Sequence, residues 1–397
     1  MSKLIFLRLL VLCAACSFFI SACGAPELQV TNTPVPGLAG KAASFDNIEI
    51  DQANHRLYVA DRTTQGIDVF DLSTSGARYM QTVPLASSPN GLAIAPDLAT
   101  LFVGTAAGSV AVIDINNASP LLYMVTTEVP TGGTSVDLLD YDASQHLVYA
   151  SNGADGTIRT IDAQTMKMKA TFHVGQALEQ PRFNKADGML YVTSPIADAL
   201  FQIDPADGTI KNKFALAGCQ PTGLAINPTA NQALIACKAT VMSWNLRTGK
   251  SHVFSEVVGG DIVSYSAKVD RFFVASPHTT RPSVVGIFGR NPISYVASAA
   301  TAGRGNSAAY DETNDVIYSP DTRLGSAGVA SFSLSASQTP LSYLPSLSFF
   351  AVLVAVVGLL FYFVGRSADP VRRLEAEPKA PVDRAARVKA ALQSADR

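Results

Sequence analysis

The chain is poor in charge, histidine and cysteine. Charged residues make up 16% of its 397 residues and the formal net charge is −2, which excludes the strongly basic surface of a nucleic-acid-binding protein. The few histidines include no His-x-x-x-His pair, so a close-spaced zinc motif is excluded. Beyond residue 23 the only cysteines are Cys219 and Cys237, which excludes a disulfide-rich scaffold. We therefore expect no metal motif and no cofactor motif.

Sequence signatures of nucleophilic catalysis are missing as well. A serine hydrolase of the α/β class would carry Gly-x-Ser-x-Gly at a strand-to-helix turn, and the chain contains no such run. We therefore expect a binding protein rather than an enzyme.

The first apolar run lies at the N-terminus. Lys3 and Arg8 precede it, and it continues to Ile20, which is the pattern of a secretory signal. Ile20-Ser21-Ala22-Cys23 resembles the lipobox of bacterial lipoproteins, in which the final cysteine receives lipid. We therefore expect residues 1–22 to be a lipoprotein-type signal peptide and Cys23 to be lipidated; the alternative is an ordinary signal with an incidental cysteine.

The second apolar run lies near the C-terminus. Residues 347–364 contain no charged side chain, and about 20 apolar residues suffice to cross a bilayer core. We predict a linker at 337–345 and a transmembrane helix at 346–365. Arginines follow this helix directly, and a segment rich in Lys or Arg next to a membrane span stays on the cytoplasmic side. The body of the chain would thus lie outside the cytoplasm, in the cell membrane, with a mildly basic cytoplasmic tail at 366–397.

A short apolar motif recurs along the whole body of the chain. Adjacent copies are separated by 39 to 46 residues, which matches the ~40–45 residues of one four-stranded propeller blade. The runs are rich in β-branched and aromatic residues and bounded by turn residues, as strands are. The pattern predicts an all-β, seven-bladed β-propeller over 45–336. The copies begin at Leu57, Leu101, Leu147, Leu190, Ala233, Phe272 and Val316.

An Asp or Asn ends the third strand of five blades. Such a side chain can accept hydrogen bonds from the backbone N–H groups that follow it, and so set the turn. We expect a structural role for these residues. They are Asp71, Asp114, Asp162, Asp204 and Asn245.

The seventh blade lacks a fourth strand of its own. After Val329–Leu334 the chain continues toward the predicted membrane helix. Residues 23–44, however, include a segment, 28–36, that precedes the first strand of blade one in the same way that residues 80–85 precede the first strand of blade two. We predict that this segment pairs with the last blade and closes the ring, which removes an exposed sheet edge.

The repeats resemble the YVTN family of β-propellers, relatives of periplasmic YncE-type proteins. The best match is LYVTSPIADALFQIDPADGTIKNKFALAGCQPTGLAINP, over 190–228. Blades two and five share a Pro-x-Gly-x-Ala-x-x-Pro stretch, at 89–96 and 221–228, whereas blades six and seven depart from it. The resemblance covers 45–334 and implies a bacterial, extracytoplasmic propeller. Related propellers have diverse ligands, so it does not fix the function.

Polar residues at the start of the inner strands form the candidate site. In a propeller these positions surround one mouth of the central channel, where carboxylates and amides could bind a cation such as Ca²⁺ or a sugar. The alternative is that water in the channel alone requires polar residues. The candidates are Asp46, Asn47, Asn90, Asp137, Glu179, Arg182, Thr222, Asp261 and Asn306.

Two further features leave alternatives open. An exported domain permits a disulfide, but the hairpin register brings Cys237 nearer to Thr222 than to Cys219, so pairing requires bending. The arginines of blades six and seven could meet an anionic partner or merely solubilise the surface. These arginines are Arg271, Arg281, Arg290, Arg304 and Arg323.

Taken together, the patterns favour a membrane-anchored, extracytoplasmic propeller of the bacterial cell envelope. We expect it to bind or scaffold an envelope protein or glycan, with the membrane as a second partner and no nucleic acid. The alternative function is a channel-centred, metal-dependent hydrolase or lyase of the lactonase type.

Overall fold

The computed structural model describes residues 30–333, apart from 75, 176, 279–281, 290 and 302. No helix within these residues is long and apolar enough to cross a membrane. The predicted signal peptide, Cys23, the linker at 337–345, the transmembrane helix at 346–365 and the tail lie outside the described residues.

The described residues form seven four-stranded antiparallel sheets arranged as a ring, so the prediction of an all-β, seven-bladed propeller is confirmed. Blade one contains β2 (Phe45–Asp51), β3 (Arg56–Asp61), β4 (Gly66–Asp71) and β5 (Arg78–Pro84). Blade two contains β6 (Pro89–Ala95), β7 (Thr100–Thr105), β8 (Ser109–Asp114) and β9 (Val125–Pro130). Blade three contains β10 (Leu139–Asp142), β11 (Leu147–Asn152), β12 (Thr157–Asp162) and β13 (Lys167–His173).

The remaining blades follow the same order, from the innermost strand outward. Blade four contains β14 (Pro181–Asn184), β15 (Met189–Ser194), β16 (Ala199–Ile203) and β17 (Ile210–Ala215). Blade five contains β18 (Pro221–Asn227), β19 (Gln232–Cys237), β20 (Val241–Asn245) and β21 (Ser251–Phe254). Blade six contains β22 (Val263–Ser266), β23 (Arg271–Ser276), β24 (Ser283–Gly289) and β25 (Ser294–Thr301). Blade seven contains β26 (Ala309–Asp311), β27 (Val316–Asp321), β28 (Gly328–Ser333) and β1 (Thr31–Pro34).

The hydrophobic core lies between neighbouring blades rather than inside one of them. The recurring apolar motif forms the second strand of each blade, which is buried on both faces because a blade packs on either side of it. Tyr58 of blade one, for example, shares a cluster with Leu92 and Leu101 of blade two. Full burial of such a side chain contributes about 1.5–3 kcal/mol.

The N-terminal strand closes the ring, as predicted. β1 pairs with β28 in antiparallel register, with Thr31 opposite Ser331, and their hydroxyl oxygens lie 2.7 Å apart. The residues after β1 insert Val35 and Leu38 into the core, where both side chains are almost fully buried. A Cβ at Gly328 would lie 2.1 Å from the Thr33 carbonyl oxygen, so this ladder requires glycine at that point.

The predicted turn role of the residues that end third strands is also confirmed. Asp71 accepts a hydrogen bond from the Ser73 backbone N–H at 3.0 Å, and Asp114 accepts one from Asn116 at 2.8 Å. Asp162, Asp204 and Asn245 accept equivalent bonds from the residues that follow them.

Every inner strand runs in the same direction along the channel. We call the end where these strands begin the upper mouth and the end where they finish the lower mouth. β28 finishes at the lower side, and β1 starts beside it. Both ends of the described chain therefore lie on the lower side of blade seven.

Candidate binding site at the mouths of the channel

The upper mouth gathers one polar side chain from each blade. Neighbouring blades hold these positions in contact through the backbone: the Gly91 N–H donates to the Asp137 carbonyl at 2.8 Å, and the Ile262 N–H donates to Asn306 at 3.0 Å. We call the set the upper ring. Its members are Asp46, Asn90, Asp137, Glu179, Thr222, Asp261 and Asn306.

Glycine permits the close approach of blades at this mouth. A Cβ on Gly91 would lie 2.5 Å from the Asp137 carbonyl oxygen, and one on Gly223 would lie 2.0 Å from that of Asp261. Both distances are too short for any side chain. These glycines belong to the two Pro-x-Gly stretches, so that pattern specifies the packing of one inner strand against the next.

Arg62 is the residue at this mouth that the sequence did not reveal. It follows β3, whose last residues lie at the upper mouth, and forms an ion pair with Asp46. It also donates to the Asn90 side-chain oxygen at 2.8 Å, and Asn90 donates to the Val136 carbonyl at 2.6 Å. The available signal was its position directly after a second strand that ends at this mouth.

The carboxylates of the upper ring lie close enough to repel one another. Burial, and after it the carboxylates of Asp137, Asp261 and Asp46, raise the pKa of Glu179 to about 8. Burial likewise raises the pKa of Asp137 and of Asp261 to about 7, against the opposing charge of Arg62. The upper ring therefore crowds acidic groups that hold protons near neutral pH, and the positive charges of Arg62 and Arg304 only partly offset this effect.

Two of the predicted site residues lie elsewhere. Asn47 is 2% exposed and its amide donates to the Leu92 carbonyl at 3.5 Å, because a bulge in β2 turns it into the contact between blades one and two. Arg182 lies three residues beyond Glu179, on the inner strand of blade four and toward the lower mouth, so it is outside the upper ring.

Arg182 belongs to a second polar group nearer the lower mouth. Its guanidinium lies 3.7 Å from the Asp140 carboxylate, and both side chains interact electrostatically with Glu49. The three stand three residues after Glu179, Asp137 and Asp46, respectively. The other four blades have small residues at this position. These are Ala93, Ala225, Ser264 and Ala309.

Cys219 and Cys237 form a disulfide with an S–S distance of 2.00 Å. The register places Cys237 opposite Pro221, and the turn before β18 brings the Cα atoms of the two cysteines to 4.7 Å. The bridge therefore joins the upper ends of the first two strands of blade five.

The remaining predicted features divide between the two sides. Arg271 begins β23 at the lower side, whereas Arg304 and Arg323 lie at the upper side; Arg281 and Arg290 lie outside the described residues. Within the described part of the chain, no three His, Cys, Asp or Glu side chains are grouped so that they could hold a metal ion.

No family model and no curated protein matches the sequence. The fold itself is widespread: 1687 chains of solved structures match it, so the fold alone does not specify a function. One is a chain of the crystal structure of a mitotic checkpoint complex, with a TM-score of 0.62 and 12% identity, covering 78% of this chain and 92% of that one. At this identity the likeness shows the fold only.

Proposed function

We propose that this chain is a membrane-anchored, extracytoplasmic propeller that binds a protein or glycan of the bacterial cell envelope through its upper mouth. The observation that carries the proposal is the upper ring itself, in which every blade contributes one polar side chain around one mouth, and those of blades three to seven are partly exposed there. Donors and acceptors fixed in this way favour recognition, because little side-chain freedom is lost on binding.

The position of the chain ends supports the same reading. Both ends of the described chain lie on the lower side of blade seven. A partner can therefore reach the upper mouth without crossing them. The resemblance to YVTN propellers, the lipobox-like Ile20–Cys23 and the uncharged run at 347–364 support export and anchoring. The Cys219–Cys237 bridge is compatible with an oxidising compartment.

The partner can be identified by crosslinking at the upper ring. A photo-crosslinking amino acid at Arg304, which is exposed beside the ring, should capture a partner in intact cells. A matched probe at Lys185, at the lower side of blade four, should not capture it. The captured species should disappear when Asp137→Asn, Glu179→Gln and Asp261→Asn are combined. Equal capture from both positions, or capture that survives the triple substitution, would reject the upper mouth as the binding surface.

The anchors are tested independently of the partner. Metabolic labelling with a fatty acid should mark the wild-type chain and leave Cys23→Ala unlabelled. A chain ending at residue 345, in which residues 1–23 are replaced by a signal peptide that is cleaved without lipidation, should be released from washed membranes. If that chain stays in the membrane fraction, the proposed anchors are wrong even when partner binding is intact.

A further inference from the structure

A separate cavity lies at the lower mouth, between the inner strands of blades one, two and three. Its volume is about 380 Å³, which lies within the range of small-ligand sites. One part of its wall is apolar and another is acidic. The residues used below are Glu49, Ile50, Leu92, Ile94, Leu139 and Asp140.

The cavity exists because the inner strand of blade two has a small residue, Ala93, where blades one and three have long acidic side chains. Glu49 and Asp140 occupy equivalent positions of blades one and three, and Ala93 stands between them in blade two. A methyl group leaves open the space that a longer side chain would fill. The inner-strand side chains Ile50 and Ile94 are only partly buried, so apolar surface remains available to a ligand.

Glu49 and Asp140, two of the carboxylates that line the cavity, are not equally satisfied. Asp140 accepts a hydrogen bond from the Phe183 backbone N–H at 2.6 Å and lies 3.7 Å from Arg182. Arg182 also donates to the carbonyl oxygens of Leu139 and Pro181, at 3.2 and 2.9 Å. Its Nη1 group is therefore already used by these two carbonyls.

Glu49 lacks such direct partners. Only the more distant charges of Arg182 and Asp140 act on it, and no hydrogen bond from the described residues reaches its carboxylate. Burial raises the pKa of Glu49 to about 7; Arg182 opposes this and Asp140 adds to it. A cation placed beside Glu49 would offset the cost of burying its charge.

The apolar wall indicates which kind of cation fits. Ca²⁺ takes about six to eight oxygen ligands. Three carboxylates line this cavity, but Asp51 already accepts hydrogen bonds from Ala53 and Asn54 and Asp140 accepts one from Phe183. An organic cation needs fewer oxygens and can place carbon atoms against Ile50, Ile94 and Leu139.

We propose that the lower-mouth cavity binds the ammonium or guanidinium group of an organic cation, with Glu49 as its counter-ion and its alkyl chain against the apolar wall. The cation can be a free alkyl amine or the Lys or Arg side chain of a polypeptide. The site lies apart from the upper ring and does not depend on the proposed function.

Calorimetric titration of the detergent-extracted full chain tests the site. Pentylamine and a short lysine-containing peptide should bind, and 1-pentanol, which has the same alkyl chain without the charge, should bind roughly tenfold more weakly or worse. If the peptide binds more tightly than pentylamine, the natural ligand is a polypeptide side chain. If pentylamine binds more tightly, the natural ligand is a small amine. Binding of CaCl₂ in place of both amines would overturn the proposal.

Two substitutions and one control complete the test. Glu49→Gln should weaken pentylamine binding roughly tenfold, and Ala93→Leu should abolish it by filling the cavity. Asp207→Asn, on the exposed turn between β16 and β17, should leave it unchanged. Unfolding curves verify that each variant is folded. If Glu49→Gln and Ala93→Leu both fold and bind pentylamine as the wild type does, the cavity is not the site.

Discussion

The upper and lower mouths of the channel are built by the same seven inner strands, yet they differ in almost every chemical respect. At the upper mouth each blade contributes a polar side chain and the backbones approach closely at Gly91 and Gly223. Three residues further along, only Glu49, Asp140 and Arg182 are polar and long. The upper mouth is thus a tight ring of interacting charges, and the lower mouth is a set of a few charges beside an open cavity.

The strongest way to break this comparison is to crowd the upper mouth. Gly223→Ala places a Cβ 2.0 Å from the Asp261 carbonyl oxygen, so blades five and six must separate. We expect a loss of about 3 kcal/mol of unfolding free energy. Gly175→Ala is the control, because its Cβ would meet only the Phe201 ring at 3.7 Å. Denaturant unfolding measures both, and an equal effect of the two would refute close approach as the reason for glycine.

The disulfide offers the next largest effect, again at the upper side. Cys219 and Cys237 are 18 residues apart, and a bridge that closes a loop of that length contributes about 3 kcal/mol by restricting the unfolded chain. Replacing both cysteines by serine should lower stability by that order. The loss should vanish when the wild type is compared under reducing conditions. A loss that persists there would assign it to packing instead.

Removing one arginine from each mouth compares their electrostatics directly. Arg62→Met leaves the buried Asp46 without its ion pair, and we expect a loss of about 1–2 kcal/mol. Arg182→Met should cost less, because the Phe183 N–H still bonds Asp140. Thermal unfolding of the two variants ranks them, and the opposite order would mean that the lower mouth is the more tightly coupled one.

The smallest expected effect is a change in pH dependence. The pKa of Glu179 is raised to about 8 in the folded chain, so the folded state binds that proton more tightly than the unfolded state. Its contribution is fully present below about pH 4.5 and is lost as the pH rises through about 8. Glu179→Gln should flatten that fall and be more stable than the wild type at pH 8 by on the order of 1 kcal/mol. If the stability of the wild type and of Glu179→Gln depends on pH in the same way, Glu179 does not interact with the other carboxylates of the upper ring.

The architecture could be predicted because it follows from local patterns. Each second strand carries the same apolar motif. The spacing between copies matches one blade, and the number of copies gives the number of blades. The closing strand followed from the same logic, since blade seven lacked one strand and the front of the chain supplied it. The predicted limits were 28–36, and the paired part is Thr31–Pro34.

The site was harder to predict, because side-chain direction depends on details that spacing does not encode. Asp46 and Asn47 are adjacent, and the bulge in β2 decides which of them reaches the channel. Arg182, a candidate for the same mouth, lies three residues beyond Glu179 and nearer the lower mouth. Arg62 comes from the end of a different strand, so its meeting with Asp46 and Asn90 is a consequence of tertiary structure alone.

The pairing of β1 with β28 has a consequence for how the chain could be rearranged. Thr31 and Ser331 are neighbours across one ladder, so the ring owes its continuity at that point to hydrogen bonds rather than to a peptide link. A circularly permuted chain could therefore join Ser333 to Val30 through a short turn and open between two other strands. The same propeller should then form with a different blade completed by strands from opposite ends of the polypeptide.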